Sequence, residues 1–88
     1  MQTRQLERLF KACANARRIS ILAFLKRHEV ATVGEIARHI RLSFKSTSKH
    51  LILLRAVELV ECEQVSLEMH YRLAPKLYKE ARIVLQLL

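Results

Sequence analysis

The sequence predicts a mainly α-helical domain with a small β-hairpin, its elements in the order α-α-α-α-β-β-α. Up to Val57 apolar residues recur every third or fourth position, the spacing of one helix face. From Val60 to Leu73 they alternate with Glu, His and Arg, the spacing of strands with one wet side. After Pro75 the helical spacing returns.

The first helix occupies roughly residues 1–15, where Leu6, Leu9, Phe10 and Cys13 form a stripe between Arg4, Glu7, Arg8 and Lys11. Asn15 caps the second, from Ala16 to Arg27, whose Ile19, Ile21, Leu22, Phe24 and Leu25 cover so much of the circumference that it should be the central buried element. Thr32 caps a third helix, Val33 to Ile40, and Glu35 completes a capping-box pattern. Arg41 and Leu42 turn the chain into Ser43, the cap of the fourth.

Val60 and Cys62 share the inner face of the hairpin with Leu67, Met69, Tyr71 and Leu73, while Glu61, Glu63, Glu68, His70 and Arg72 face water. Matching the inward sets pairs Cys62 with Met69, Val60 with Tyr71 and Glu61 with His70, leaving Gln64 to Leu67 as the connection. A two-residue turn at Val65 and Ser66 would demand positive φ of a β-branched residue, so the longer loop is expected. Pro75 suits the first turn of a last helix whose Leu77, Tyr78, Ala81, Val84, Leu85 and Leu88 line one side.

Eighty-eight residues make one domain, residues 1–88, without internal repeat or linker. A chain this short hides only about 60–65% of its extended surface, so burial against a partner is expected. No apolar run approaches the roughly 18 residues of a membrane span, and Met1 to Asn15 is amphipathic, unlike a signal peptide. Two cysteines without a C-x-x-C pair fit a reducing compartment, so a soluble, cytoplasmic protein with no membrane partner is expected.

Sixteen Lys and Arg against eight Glu, with no Asp, leave a formal charge of +8 and point to a polyanionic partner. The charge is unevenly placed. Ile36 to Val57 carries Arg38, Arg41, Lys45, Lys49 and Arg55 and no acid, whereas Glu58 to Glu68 carries four acids and no Lys or Arg. The basic stretch contains S-F-K-S-T-S-K-H-L, Ser43 to Leu51, in which small hydroxyl residues near a helix N-terminus can approach phosphates and base edges while lysines attract the backbone of any duplex. Phe44 can meet a thymine methyl or pack on the third helix.

Two helices joined by a tight turn and followed by a hairpin make a winged helix-turn-helix, whose second helix enters the major groove. Four stretches make the likeness specific: L-F-K-A-C-A-N-A-R-R-I-S-I-L at Leu9 to Leu22, G-E-I-A-R-H-I at Gly34 to Ile40, S-F-K-S-T-S-K-H-L at Ser43 to Leu51, and Y-R-L-A-P at Tyr71 to Pro75. In order and spacing they resemble the ArsR family of winged-helix transcriptional regulators over nearly the whole chain. The resemblance implies a homodimer, built from the first and last helices, that binds double-stranded DNA at a palindromic operator and represses transcription. It places Ser43, Phe44, Lys45, Ser46, Ser48, Lys49 and His50 against DNA. Dimerisation would bury Leu6, Leu9, Phe10, Leu77, Ala81, Val84, Leu85 and Leu88.

The sequence also departs from that pattern. Arg41 and Glu58 stand where glycine is usual, each a side chain where positive φ is common, at about 1 kcal/mol if the geometry is kept. The hairpin is acidic where family wings are basic, so it should add little to DNA affinity. The metal-binding residues of many relatives are missing: Thr32-Val33-Gly34 has no sulfur, and the last helix has no Asp, His or Cys. No cofactor is expected, and no constellation for catalysis is legible, with no phosphate loop and no nucleophile beside a base. Two other readings stay open: a winged-helix module that docks protein, and a thiol-responsive repressor using Cys13 and Cys62. Cys13 on the apolar stripe of its helix and Cys62 on the inward face of its strand read better as inert buried thiols.

Overall fold

In the computed structural model, which describes residues 1–88, five helices and three strands follow one another as α1 (Thr3–Cys13), α2 (Ala16–His28), β1 (Val30–Thr32), α3 (Val33–Ile40), α4 (Phe44–Ala56), β2 (Val60–Val65), β3 (Glu68–Leu73) and α5 (Lys79–Gln86). The starts of α2, α3 and α4 fall where short polar side chains can take the free N–H groups. Asn15 Oδ1 accepts from the Arg18 amide at 3.1 Å and Ser43 Oγ from the Ser46 amide at 3.1 Å. Thr32 and Glu35 cap each other's backbone, at 3.2 and 2.8 Å, so the predicted capping box is present.

α2 is the hub. Its Ile21, Leu22, Phe24 and Leu25 are buried, and around them gather Leu9 of α1, Ile36 and Ile40 of α3, Leu51 and Leu54 of α4, Leu59 between α4 and β2, Val60 and Tyr71 of the hairpin, and Ala81 and Leu85 of α5. Three cations of the same helix tie down the ends of its neighbours, where orphan carbonyls concentrate negative charge. Arg17 donates to the carbonyls of Ile40 and Arg41 at 2.8 and 3.3 Å, Arg18 to those of Lys11 and Ala12, and Lys26 to those of Leu85 and Leu88, both at 2.9 Å.

Three expectations need correction. The sheet has three strands in the order β1-β3-β2, because Val30, Ala31 and Thr32 pair antiparallel with Arg72, Tyr71 and His70. Three residues are too few for alternation to register, and β1 is held by its pairing with β3 and by the burial of Ala31. The hairpin register is shifted by two: Cys62 opposes Tyr71, Val60 opposes Leu73 and Glu61 opposes Arg72. An even shift preserves the faces, but it closes the connection to Ser66 and Leu67, with positive φ (59°) only at Ser66, as in a type II′ turn. Serine tolerates this better than a β-branched residue would. Leu67 therefore stands at the tip, 95% exposed, rather than on the inner face.

The last helix starts at Lys79 rather than at Pro75. Ala74 still donates to the Leu59 carbonyl at 2.9 Å, so the chain leaves the sheet only there, and four residues bring Leu77 onto the core before the helix begins.

Glu29, Arg41 and Glu58 also take positive φ, at 64°, 55° and 61°. The two positions flagged by the missing glycines thus keep the left-handed geometry and bear its cost. Glu58→Gly should raise unfolding free energy by roughly 0.5–1 kcal/mol, the relief of strain less the added freedom of the unfolded chain. Urea titration checks this, with the midpoint moving up at unchanged m-value.

Candidate nucleic-acid interface

The exposed side of α4 follows from what its other side must do. Thr47, Leu51 and Leu54 recur at helical spacing and are fully buried, so the residues opposite them are forced into water. Lys45 and Lys49, four apart, share that outer side, and Ser46 and Ser48 are half-buried along its borders. Ser43 sits at the N-terminus, exposed, its hydroxyl engaged by the Ser46 amide. At this end the free amides of the first turn and the lysines together form an anion-attracting surface.

Phe44, left open between two readings, is 63% exposed, so most of its surface is free while the rest lies near the start of α3. Its ring borders a shallow apolar cleft of about 160 Å³ with Val33, Gly34, Leu67 and Met69, between the start of α4 and the hairpin tip. Ile52 and Leu53, 60% and 49% exposed, extend the outer side towards the C-terminus of α4. The sequence reading did not single them out. The run Leu51 to Leu54 carries four apolar residues in succession, and a helix can turn only some of them inward.

His50 differs from the other residues expected at DNA. It is half-buried, and its Nδ1 lies 3.1 Å from Nη1 of Arg18. An arginine only donates, so Nδ1 is the unprotonated nitrogen and the proton resides on Nε2. Burial, then the charges of Arg18 and Arg17, push the His50 pKa below its ordinary value. His50 thus faces the body of the protein through one nitrogen, and Arg18 joins it as a residue that sequence reasoning passed over.

Thr47 is the buried polar residue of α4. Its hydroxyl is without a hydrogen-bond partner, which costs about 1–3 kcal/mol. Thr47→Val, nearly the same shape without the hydroxyl, should stabilise the fold by about 1 kcal/mol. Thermal melting checks this, and a fall in midpoint would contradict it.

The hairpin places its acids differently from expectation. Arg72, not His70, faces Glu61, with Nε to Oε1 at 2.7 Å, and its Nη2 lies 3.9 Å from Glu63. Two of the three strand carboxylates thus share a cation, and Glu68 remains beside the tip. Cys13 and Cys62 are free thiols, both half-buried. Burial pushes the Cys13 pKa up despite the nearby Arg18 charge, which keeps the thiol protonated and a poor nucleophile at neutral pH. No group of three or more His, Cys, Asp or Glu side chains comes together in a form that could hold a metal ion, and no helix is long and apolar enough to cross a membrane.

A capped helix pair, an outward basic second helix and a two-stranded wing define the winged helix-turn-helix class of DNA-binding transcription regulators. Residues 15–61, more than half the chain, match the family model of the bacterial regulatory proteins of the arsR family, and the protein belongs to that family. Its members regulate transcription and are not enzymes.

Solved structures agree. HlyU from Vibrio cholerae is 30% identical, with a TM-score of 0.82 over 99% of this chain and 92% of that one. The homodimeric winged helix-turn-helix DNA-binding domain of Mb0332 from Mycobacterium bovis, a possible ArsR-family transcriptional regulator, is also 30% identical, with a TM-score of 0.80 over 94% of this chain and 73% of that one. NolR from Sinorhizobium fredii is 28% identical, with a TM-score of 0.81 over 96% and 80%. No curated protein matches the chain by sequence.

Proposed function

We propose that the protein is a homodimeric, sequence-specific DNA-binding repressor that reads a palindromic operator and works without the metal ligand sets of many relatives. The observation that carries the reading is the two-sidedness of α4, with Leu51 and Leu54 fully buried and Lys45 and Lys49 exposed opposite them. Ser43 and the first-turn amides hold a phosphate, Lys45 and Lys49 supply attraction to any sequence, and Phe44, Ser46 and Ser48 supply preference. His50 contributes through the placement of the helix rather than through a base.

Binding should weaken steeply with salt, with a log-log slope near −0.9 per phosphate contact. Lys49→Ala should weaken binding to every duplex and reduce that slope by about 1, whereas Ser46→Ala should change the preference among duplexes by about 1–3 kcal/mol. Fluorescence anisotropy on a duplex selected from a random pool and on a scrambled one separates the two. Association that ignores salt would favour the protein-docking module instead.

The dimeric part of the proposal draws support from the homodimeric Mycobacterium bovis relative and from apolar surface left on α1 and α5. The expected interface divides in two. Leu9, Ala81 and Leu85 are 2%, 3% and 5% exposed within one chain, so the core has already taken them and they offer a partner almost no surface. Phe10 and Leu88, 54% and 37% exposed, and the half-buried Leu6, Leu77 and Val84 remain available, with Ile83 and Leu87 beside them. A charge at Leu85 would therefore unfold the monomer. Phe10→Glu tests the interface without entering the core and should yield a folded monomer by sedimentation, with specific DNA binding lost. A folded Phe10→Glu dimer that binds as the wild type does would remove α1 from the interface.

A further inference from the structure

The helix that the proposed function puts at the dimer interface and the helix that reads DNA share the apolar core, through Leu9 on one and Leu51 and Leu54 on the other. A polar side chain of α2 also ties the end of the first to the second. At the C-terminus of α1 four carbonyls lack helical partners. The Ala14 amide takes that of Phe10 at 2.9 Å and the Asn15 amide that of Cys13 at 2.8 Å. The two others, of Lys11 and Ala12, are both held by the guanidinium of Arg18, through Nη2 and Nε. The remaining nitrogen, Nη1, donates to Nδ1 of His50 on α4 at 3.1 Å. The Arg18 backbone is itself fixed, its amide bonded to the Asn15 cap. The planar fork is thereby engaged on three sides by groups from two other helices, a geometry that the single ammonium of lysine cannot reproduce.

Resting on the DNA-reading function proposed above, we infer that Arg18 is the positioning residue of the reading helix, setting, within the narrow range that the burial of Leu51 and Leu54 leaves, the rotation of α4 about its own axis against the end of α1 through His50. A turn of α4 about its axis moves Ser46 and Lys49 across the groove, so losing the tie costs discrimination between sequences while leaving general attraction to duplex intact. The tie exists only while Nδ1 is unprotonated. A protonated ring has no acceptor, and it faces cations, Arg18 and Arg17 of α2, while Lys11 of α1 is paired with Glu7 at 3.9 Å.

The sign of the pH effect follows. The folded pKa of His50 lies below the ordinary 6.5, so the neutral, tied form is complete above that value and is lost as pH falls through the lower one. Selectivity should therefore decline on acidification.

The experiment compares affinity for a selected duplex with that for a scrambled duplex of the same length, between about pH 7.5 and pH 5.5, alongside melting temperature. Arg18→Lys preserves net charge and should lower the ratio of the two affinities by about tenfold at neutral pH, as expected for a lost hydrogen bond to a charged group, while scrambled-duplex binding changes by less than about twofold. His50→Phe removes the acceptor without touching the cap on α1 and should do the same even if Arg18→Lys folds poorly. His50→Asn retains an acceptor that does not titrate, and should hold the wild-type ratio and flatten its pH dependence. A folded His50→Phe protein with the wild-type ratio, or an acid decline that persists unchanged in His50→Asn, overturns the assignment. Wild-type protein with no salt-dependent duplex binding would instead overturn the DNA reading, and the assignment with it.

Discussion

The burial of Leu51 and Leu54 is the constraint from which the rest of the molecule takes its sense. Neither retains any exposed surface, and each fully buried leucine contributes about 1.5–3 kcal/mol. Rotating α4 by one residue would expose part of that surface and draw Ser48 and Ile52 inward, so the rotation of the helix is fixed within narrow limits by packing before any polar contact acts. What faces water is the remainder: Lys45, Lys49 and Arg55, hydroxyls, a phenyl ring, and the aliphatic Ile52 and Leu53. The same apolar contact that closes the core thus chooses the face offered to a duplex.

Charge in this molecule does two jobs, and net charge alone does not separate them. Arg17, Arg18 and Lys26, all on α2, bind the carbonyl ends of α3, α1 and α5 and are committed to structure. Arg72 is occupied by Glu61 and Glu63. Lys45 and Lys49 are free of such pairings and lie on the outer face of α4, where a polyanion can reach them. The wing fits this picture: its acids are partly neutralised within the hairpin, and its tip is a leucine.

Much of this was legible in the sequence for identifiable reasons. Caps at Asn15, Thr32 and Ser43 are local chemistry, and each marked its helix start. The change of period at Val57 separated helix from strand, and α3 runs between the residues expected. What escaped depends on contacts between distant residues. β1 exists because β3 offers it an edge, and the hairpin register was decided by Ser66 accepting positive φ, which parity cannot reveal. Leu9, Ala81 and Leu85 belong to apolar stripes that sequence spacing cannot divide between the chain's own core and a second copy. Arg18, in a basic pair on a helix, gives no sign that its partners lie on α1 and α4.

The four positive-φ residues bear on the oligomeric state. Glu29, Arg41, Glu58 and Ser66 each sit at a junction between elements and each cost about 1 kcal/mol that glycine would avoid. Thr47 adds an unpaired buried hydroxyl. For a domain of this size, whose net stability is of the order of 5–10 kcal/mol, these are large fractions. A fold so encumbered gains from any state that buries more apolar surface, and Phe10 and Val84 on the two terminal helices, with Leu88 just beyond the second, are where such surface remains. Stability would then depend on protomer concentration, because only the associated form recovers that burial. On the dimeric reading the same association sets the spacing of the two reading helices, so folding and the capacity to recognise a two-fold site draw on one contact.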